Sequence, residues 1–266
     1  MPAALYMTIY YLNFVISGLQ KPFFYQIFTK TKNMKQVFFF AMMLLLITSG
    51  CHQFTGSGNI ITQNRNTDPF KGISAGSAFE IEITNGSSNK VTVECDDNLM
   101  PYIKTKVVNG VLKISTSQMA AFNDAHMKIF ITAPEINFID ASGAATIKAN
   151  NELKSADKIN IESSGAATIK ATVDAPQIFA EATGASTIEL KGRTRQYTAK
   201  ASGSAGLKTT DLQSETTKIT ASGASSAHVH ASVSLTATAS GASDIHYRGA
   251  GNVQKKASGA ANINPE

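Results

Sequence analysis

Three acidic residues, Asp140, Glu162 and Glu181, recur at nearly regular intervals in the second half of the chain. On adjacent parallel strands their carboxylates would lie about 4.8 Å apart. Carboxylate oxygens at that spacing could bind calcium, and two carboxyl groups about 5–5.5 Å apart form the catalytic pair of a retaining glycosidase. However, Lys200 continues the series, and we expect no aromatic platform for sugars on the outward positions beside the acids. The sequence therefore favours solvated charges, with a weak cation site and a polysaccharide-active enzyme as alternatives.

A pair of histidines, His228 and His246, has a similar spacing of 18 residues. Two imidazoles one strand spacing apart on an outer face could contribute to a zinc site. A zinc site needs three or four ligands, and only His230 and Asp244 are close in sequence. We therefore predict solvated surface histidines and no resident metal or other cofactor, while a metal-linked envelope sensor remains an alternative.

The elements that must position these residues form a repeat between residue 141 and the C-terminus. A small–Ser/Thr–Gly–Ala/Ser–Ala/Ser motif occurs seven times, at intervals of 18 to 22 residues. A propeller blade needs about 40 residues and a helical-pair repeat about 33 or more, so the length excludes both. One turn of a β-solenoid per repeat fits, and each turn then contacts only its neighbours. The glycines of the seven copies are Gly143, Gly165, Gly184, Gly203, Gly223, Gly241 and Gly259.

Apolar and polar residues alternate on both sides of each glycine, which is the pattern of strands with one buried face. The residues four positions after the glycines are Ile147, Ile169, Ile188, Leu207, Ala227, Ile245 and Ile263. The residues at the next position are mostly charged or histidine. We predict an all-β, single-stranded β-solenoid, a parallel β-helix, that is right-handed because parallel crossovers nearly always are. The Ser/Thr before each glycine is interpreted as a structural hydroxyl ladder rather than as a row of nucleophiles.

The last repeat differs from the others. Lys255 stands in a column that points inward elsewhere, and Pro265 follows soon after. An inward charge and a proline both prevent a terminal strand from pairing with another molecule. This indicates the open end of the solenoid, although a local slip in register would give the same mismatch.

Residues 69–135 lack the Ser-Gly corner but keep the alternation of strands. The segments 79–83 and 91–95 flank the turn Asn85-Gly86, and a Val-Asn-Gly-Val hairpin signal lies at 108–111. A further strand is predicted at 127–131. Since the first turn of a solenoid needs its core covered, we predict hairpin-like capping strands and one head domain over 69–266, with repeats from about residue 136.

The N-terminal region reads as a secretory leader. A basic start at Met34-Lys35, an eleven-residue apolar stretch and small residues before Cys51 predict a signal peptide over 34–50. The stretch is shorter than the roughly 18 residues of a spanning helix. Residues 1–33 are interpreted as an extension upstream of the true start at Met34, with an additional membrane helix as the alternative. The polar segment 51–68 is predicted to be a flexible tether.

Charge and cysteines exclude several classes of function. The formal charge of +5 resides mainly in the leader, because residues after position 50 carry 20 basic and 19 acidic groups. Without a basic stripe we predict no nucleic-acid partner. Cys95 is in phase with the apolar residues around it and is predicted to be a buried free thiol.

Together these features resemble one protein family. The signal peptide ending in Cys51 resembles the lipobox of bacterial lipoproteins, although Thr48 stands where Leu is commonest; this resemblance implies cleavage before Cys51 and lipidation of its sulfur. The repeats 221–225 and 239–243, both Ala-Ser-Gly-Ala-Ser, resemble those of the auto-transporter adhesin head GIN domain, found on lipoproteins of Gram-negative bacteria. The resemblance covers about residues 69–264. It implies a β-helix outside the cytoplasm and provides no catalytic residues.

We therefore predict a non-catalytic β-helix protein, held in the cell envelope as an outer-membrane lipoprotein through a lipid on Cys51. We predict that it acts as an adhesion, binding or structural module. Its partners would be the membrane, through the lipid, and an extracellular glycan or protein. The sequence leaves the ligand, the membrane face and the oligomeric state open.

Overall fold

The computed structural model describes residues 53–117, 121–249 and 251–266. The chain divides into two compact units, Met1–Cys51 and His52–Glu266, and all described residues belong to the second. The extension, the signal peptide and Cys51 predicted from the sequence lie outside the described residues. No helix in the described part of the chain has the length and hydropathy needed to span a membrane.

The described residues of the N-terminal part of the domain form nine strands and one short 3-10 helix at Met100–Tyr102. The strands are β1 (Gln53–Thr55), β2 (Ile60–Arg65), β3 (Gly72–Ala75), β4 (Glu80–Asn85), β5 (Lys90–Asp96), β6 (Ile103–Val108), β7 (Val111–Thr116), β8 (Ala121–Asn123) and β9 (Met127–Ala133).

The repeat region contains thirteen strands among the described residues. They are β10 (Phe138–Ala141), β11 (Thr146–Ala149), β12 (Leu153–Lys154), β13 (Lys158–Ser163), β14 (Thr168–Ala182), β15 (Thr187–Ala201), β16 (Gly206–Thr209), β17 (Leu212–Ala221), β18 (Ser226–Ala231), β19 (Ser234–Ala239), β20 (Asp244–Gly249), β21 (Asn252–Ala257) and β22 (Asn262–Pro265).

Two lateral faces run the length of the coil. The first face is built in the order β2–β5–β9–β4–β11–β14–β15–β16–β18–β20–β22. The second face follows the order β6–β7–β3–β10–β13–β14–β15–β17–β19–β21. Strands β14 and β15 belong to both faces. Every strand pair within the repeats is parallel, and the antiparallel pairs lie in the N-terminal part, so the predicted β-solenoid with capping strands is confirmed.

The core follows the register predicted from the glycine spacing. Ile147 pairs with Ile169, and Ile169 pairs with Ile188 on the next turn. All three side chains are at most 1% exposed. Leu207 continues the stack, so the apolar column lines a continuous dry interior whose burial stabilises each turn through its neighbours.

Each turn bends at its glycine, where the backbone adopts a positive φ of 69–77°. From Gly165 onward, the backbone N–H after each glycine donates to the glycine carbonyl of the preceding turn, as in Ala166 to Gly143 at 2.7 Å, and the N–H of Ala144 donates to the Ser77 carbonyl at 2.8 Å. A backbone ladder therefore satisfies the corner, whereas the predicted ladder of serine hydroxyls is limited: Ser142 donates to the Ala75 carbonyl at 3.3 Å. An additional corner absent from the sequence motif lies at Ser77, which adopts a φ of 62° beneath Gly143.

The flexible tether predicted over 51–68 is wrong for residues 53–65. Strand β1 pairs with β8, and β2 pairs antiparallel with β5. The loop between them is held by Asp96, which is 2% exposed and accepts hydrogen bonds from the backbone of Gly58 and His126 at 2.7 and 2.8 Å. Glycine and asparagine are typical of linkers, but here they let the loop wrap closely around this buried carboxylate.

The hairpin predictions are confirmed in part. Strands β6 and β7 form the predicted antiparallel hairpin, with Asn109 and Gly110 both at positive φ, as its two-residue turn requires. Strands β4 and β5, which flank Asn85-Gly86, do not pair with each other, because β9 lies between them.

The C-terminal end of the coil keeps its register, which excludes the slip considered above. Lys255 pairs with Ala237. Its ammonium group lies 4.6 Å from the centre of the Tyr247 ring and donates to the Ile263 carbonyl at 3.3 Å. The inward lysine thus covers the end of the core with a charged group.

Candidate functional site

The three predicted acids lie side by side on the outer surface of the second face. Asp140 pairs with Glu162, and Glu162 pairs with Glu181. We call these three residues the acid column. Ser74 and Lys200 adjoin its two ends, so the structure brings together the candidate residues as their spacing predicts.

Glu162, in the middle of the acid column, has the most unfavourable environment for a charge. Partial burial, and then the negative charges of Asp140 and Glu181, raise its pKa above the ordinary value of 4.5. Its neighbours have other partners: the Ser74 hydroxyl donates to Asp140 at 2.7 Å, and the Lys200 ammonium lies 3.7 Å from Glu181. A proton or an external cation or hydrogen-bond donor would therefore be most favourable at Glu162.

Aromatic side chains do lie beside the acids, and the expectation that none would is wrong. Phe138 and Phe179 precede Asp140 and Glu181 by two residues, so they point to the same outer side of the sheet. Both rings are partly exposed, and the Lys200 ammonium lies 5.4 Å from the centre of the Phe179 ring. The signal was present in the sequence, because the position five residues before each glycine is outward by parity.

This part of the second face therefore combines aromatic surface with hydrogen-bonding groups. The column of Phe138 and Phe179 contains Asn160 between the two rings. The acid column runs alongside it. Aromatic rings stack on apolar surfaces, and carboxylates and amides bind hydroxyl groups. The arrangement can bind a polyhydroxylated or polar ligand without any chemical reaction.

The two predicted histidines also meet, on the first face. His228 pairs with His246, and their rings stack with centroids 5.0 Å apart. The Glu266 carboxylate accepts a hydrogen bond from Nδ1 of His228 and lies 2.8 Å from Nε of Arg248. The hydrogen bond from His228 is the main reason why the pKa of Glu266 is lowered. One imidazole nitrogen is thus occupied by a carboxylate.

Neither a cluster of metal ligands nor a reactive thiol is found in the described part of the chain. It contains no group of three or more His, Cys, Asp or Glu side chains arranged to hold a metal ion. Cys95 is a free, fully buried thiol, as predicted. Burial raises its pKa to about 11, which keeps it protonated and unreactive at neutral pH.

A second feature, which the sequence analysis missed, is a groove at the N-terminal end of the coil. It lies between the edge strands β2 and β6 and is lined by Arg65, Met100, Ile103, Lys104 and Lys106, among others. The Arg65 guanidinium donates to the carbonyls of Met100 and Ile103 at 3.5 and 3.4 Å. The sequence does not predict this groove, because β2 falls within the segment predicted to be a flexible tether.

Comparison with known proteins gives a family and a fold. A family model described as "Putative auto-transporter adhesin, head GIN domain" matches residues 69–251. No curated protein matches the chain. The similar solved structures include a protein of Bacteroides fragilis described as a putative adhesin, with 22% identity and a TM-score of 0.76 over 80% of this chain and 100% of that one.

Two structures from Parabacteroides are also similar. A protein of Parabacteroides distasonis, described as a putative lipid binding protein, has 18% identity and a TM-score of 0.67 over 80% of this chain and 99% of that one. A protein of Parabacteroides merdae, described as a putative adhesin, has 18% identity and a TM-score of 0.61 over 81% and 99%. At these identities the likeness concerns the fold.

Proposed function

This chain belongs to the auto-transporter adhesin head GIN domain family, and from that membership we propose that it is a non-catalytic binding module anchored to the cell envelope by a lipid on Cys51. The second face of the solenoid binds an extracellular glycan or protein. The lipid anchor keeps the module at the outer membrane.

The observation that carries the binding role is the combination of Phe138, Phe179 and the acid column on one rigid sheet. Each strand is held on both edges by its neighbours, so the side chains keep a fixed spacing without ordering a loop. Pre-ordered surfaces lose less entropy when they bind. The family descriptions, which name adhesins, agree with this role.

The absence of catalysis is supported by the chemistry of the candidate groups in the described residues. Glu181 and Asp140 have protein partners, and the buried Cys95 is protonated. The serines before the corner glycines have no recurring histidine or acid beside them, which activation of a nucleophile requires. These groups suit recognition better than bond cleavage.

Lipidation of Cys51 is supported by the leader sequence. Two or three acyl chains on one residue, in the diacylglycerol on the sulfur and on the amino group of Cys51, give a stable anchor. The description of the similar Parabacteroides distasonis structure as a putative lipid binding protein is compatible with a location at the membrane for this chain.

A binding screen tests the proposed role. The domain starting at His52, which forms one compact unit, is applied to arrays of glycans and of extracellular matrix proteins. We expect a hit that weakens when Phe138 and Phe179 are replaced by Ala, with Phe130→Ala on the first face as the control. If binding of the hit is unchanged when Phe138 and Phe179 are replaced by Ala, the proposal that the second face binds the ligand is contradicted.

The rival function is cleavage of a polysaccharide by the acid column, and the raised pKa of Glu162 favours it as a proton donor. The variant Glu162→Gln/Glu181→Gln separates the two functions. A binding module shows no glycan turnover in either protein. Turnover by the wild type that the double variant loses would establish the enzyme instead.

A further inference from the structure

The distance between Cys51 and the folded domain is very short. Strand β1 begins at Gln53, so only His52 separates it from Cys51. Consecutive Cα atoms are about 3.8 Å apart, and the domain therefore begins within about 8 Å of the proposed lipid-bearing residue. The headgroup layer of one leaflet is itself roughly 5–7 Å thick. An anchor on Cys51 would hold the neighbouring end of the solenoid against the membrane surface.

That end of the solenoid exposes apolar side chains. Ile60 and Ile61 on β2 are 51% and 38% exposed. Ile61 pairs with the fully buried Cys95 and points to the same side of the sheet as the core, but it lies one strand beyond the core. Ile60 points to the opposite side of β2, so exposed apolar side chains flank this edge strand on both sides.

An aromatic group lies at the same end, where the chain enters the domain. The Phe54 ring lies 5.0 Å from Tyr102 and 6.1 Å from Phe122, measured between ring centroids. All three side chains are partly exposed. Tyrosine favours the interface between lipid and water, because its ring is apolar and its hydroxyl group stays hydrated, and the two phenylalanine rings add apolar surface beside it.

The side of this end formed by β6 is positively charged. Strands β2, β6 and β7 contain Arg65, Lys104, Lys106 and Lys113 and no acidic residue. Lys104 and Lys106 are exposed and lie on the same side of β6. Acidic residues lie beside β2, and each has a protein partner: Glu94 is paired with His126 at 2.8 Å, Asp96 accepts hydrogen bonds from the backbone of Gly58 and His126, and Asp97 accepts hydrogen bonds from Ser57 and Asn59. Positive charge near the surface attracts anionic headgroups.

We propose that this N-terminal end docks onto the lipid surface that carries the Cys51 anchor. We define the end face as Phe54, Ile60, Ile61, Tyr102, Lys104 and Lys106. Its apolar and aromatic side chains enter the headgroup layer, and its lysines contact anionic lipids. The solenoid then stands on the membrane with its C-terminal turns farthest from the lipid, and the second face remains accessible. The inference rests on the proposed anchor, because the anchor on Cys51 places this end of the solenoid beside the membrane in the cell.

Vesicle binding by a protein without lipid tests the docking independently of the anchor. The chain from Cys51 onward, with Cys51→Ser, is sedimented with vesicles of phosphatidylcholine and phosphatidylglycerol at 7:3, and with pure phosphatidylcholine. We expect binding to the anionic vesicles that falls at high salt. The variant Lys104→Gln/Lys106→Gln should bind about 25-fold more weakly, since each lysine near an anionic surface contributes about fivefold.

A matched control removes two exposed lysines from the far turns, Lys208→Gln/Lys218→Gln, and should leave the binding unchanged. Equal losses from the two pairs would show attraction by net charge alone and would overturn the proposal. No binding to the anionic vesicles would also overturn it. A dimer in light scattering, found together with no vesicle binding, would overturn the proposal too if the variant Ile60→Ser/Ile61→Ser dissociates that dimer. The end face would then join two copies of the chain.

The two proposals can fail separately. If the Cys51→Ser protein binds anionic vesicles through Lys104 and Lys106 while the native protein has no lipid on Cys51, the docking surface stands and the anchor is wrong. If the native protein is lipidated while the Cys51→Ser protein ignores vesicles, the anchor stands and the docking is wrong.

Discussion

Gly203 lies directly over Gly184 on the preceding turn, so closely that a Cβ atom on Gly203 would be 2.8 Å from the Gly184 carbonyl oxygen. The same contact recurs between the glycines of successive turns, from Gly143 to Gly259. The corner therefore needs glycine for two reasons: its φ is positive, and the next turn leaves no room for a side chain. The contact sets how closely the turns stack.

Replacing Gly203 by Ala should destabilise the domain by about 2 kcal/mol or more, because the left-handed backbone and the backbone contact both oppose a Cβ. Gly206→Ala is the matched control, since its φ is not positive and the nearest atoms, in the Thr187 side chain, are 3.6 Å away. That control should change the free energy of unfolding by less than about 0.5 kcal/mol. Urea denaturation measures both, and equal losses would contradict the stacked corner.

Truncating the core column should be costly, whereas truncating the outer column should not. Ile188 is fully buried, and Ile188→Ala should lower the free energy of unfolding by about 2–5 kcal/mol. Ile188→Asp should unfold several turns. Lys170, one turn away, is exposed and pairs with Glu189 at 3.1 Å, so Lys170→Ala should cost less than about 1 kcal/mol. Similar losses from Ile188→Ala and Lys170→Ala would refute the register.

Removing the charge of Glu162 should stabilise the domain at neutral pH. Its pKa is raised in the folded state by burial and by Asp140 and Glu181, so ionisation favours the unfolded chain. The penalty is absent at low pH and grows as the pH rises from the ordinary carboxyl range through the folded pKa.

The melting temperature of Glu162→Gln should therefore exceed that of the wild type by about 1–3 °C at pH 7, and the difference should vanish near pH 4. Lys200 adjoins one end of the column, and Lys113 lies beyond Ser74 at the other end. A lower melting temperature for the variant at pH 7 would contradict the unfavourable charge at Glu162.

Zinc should stabilise the wild type and the variant His228→Ala/His246→Ala equally. The stacked pair offers two imidazoles, and Nδ1 of His228 is already hydrogen-bonded to Glu266. A zinc site needs at least three protein ligands. The change in melting temperature on titration with zinc measures this, and a larger shift in the wild type would establish a metal site at the pair.

The repeat was predictable because its signal is both local and periodic. Glycine at one position and isoleucine four residues later determine the corner and the buried column, and strand pairing follows from them. The pairs Asp140–Glu162 and His228–His246 could be located before any coordinates, since parallel stacking carries one residue onto its equivalent in the next turn.

The ends of the coil were harder to predict, because their contacts are not periodic. The glycine motif does not reveal the corner at Ser77, because serine stands there in place of glycine. The segment 53–65 looks like a linker in composition, yet the buried Asp96 and the open edge of β5 provide partners for its backbone. The outward position of Phe138 and Phe179 follows from strand parity, because each stands two residues before an outward acid, so the sequence contains the signal that contradicts the expectation of no aromatic platform.

The mass of the N-terminal peptide of the protein purified from bacterial membranes tests the lipid anchor, on which the location and the docking of the end face both depend. We predict a chain that begins at Cys51 and carries a diacylglycerol thioether on its sulfur and an acyl group on its amino nitrogen. An N-terminal peptide in which Cys51 is internal, or in which its thiol is unmodified, would contradict the anchor.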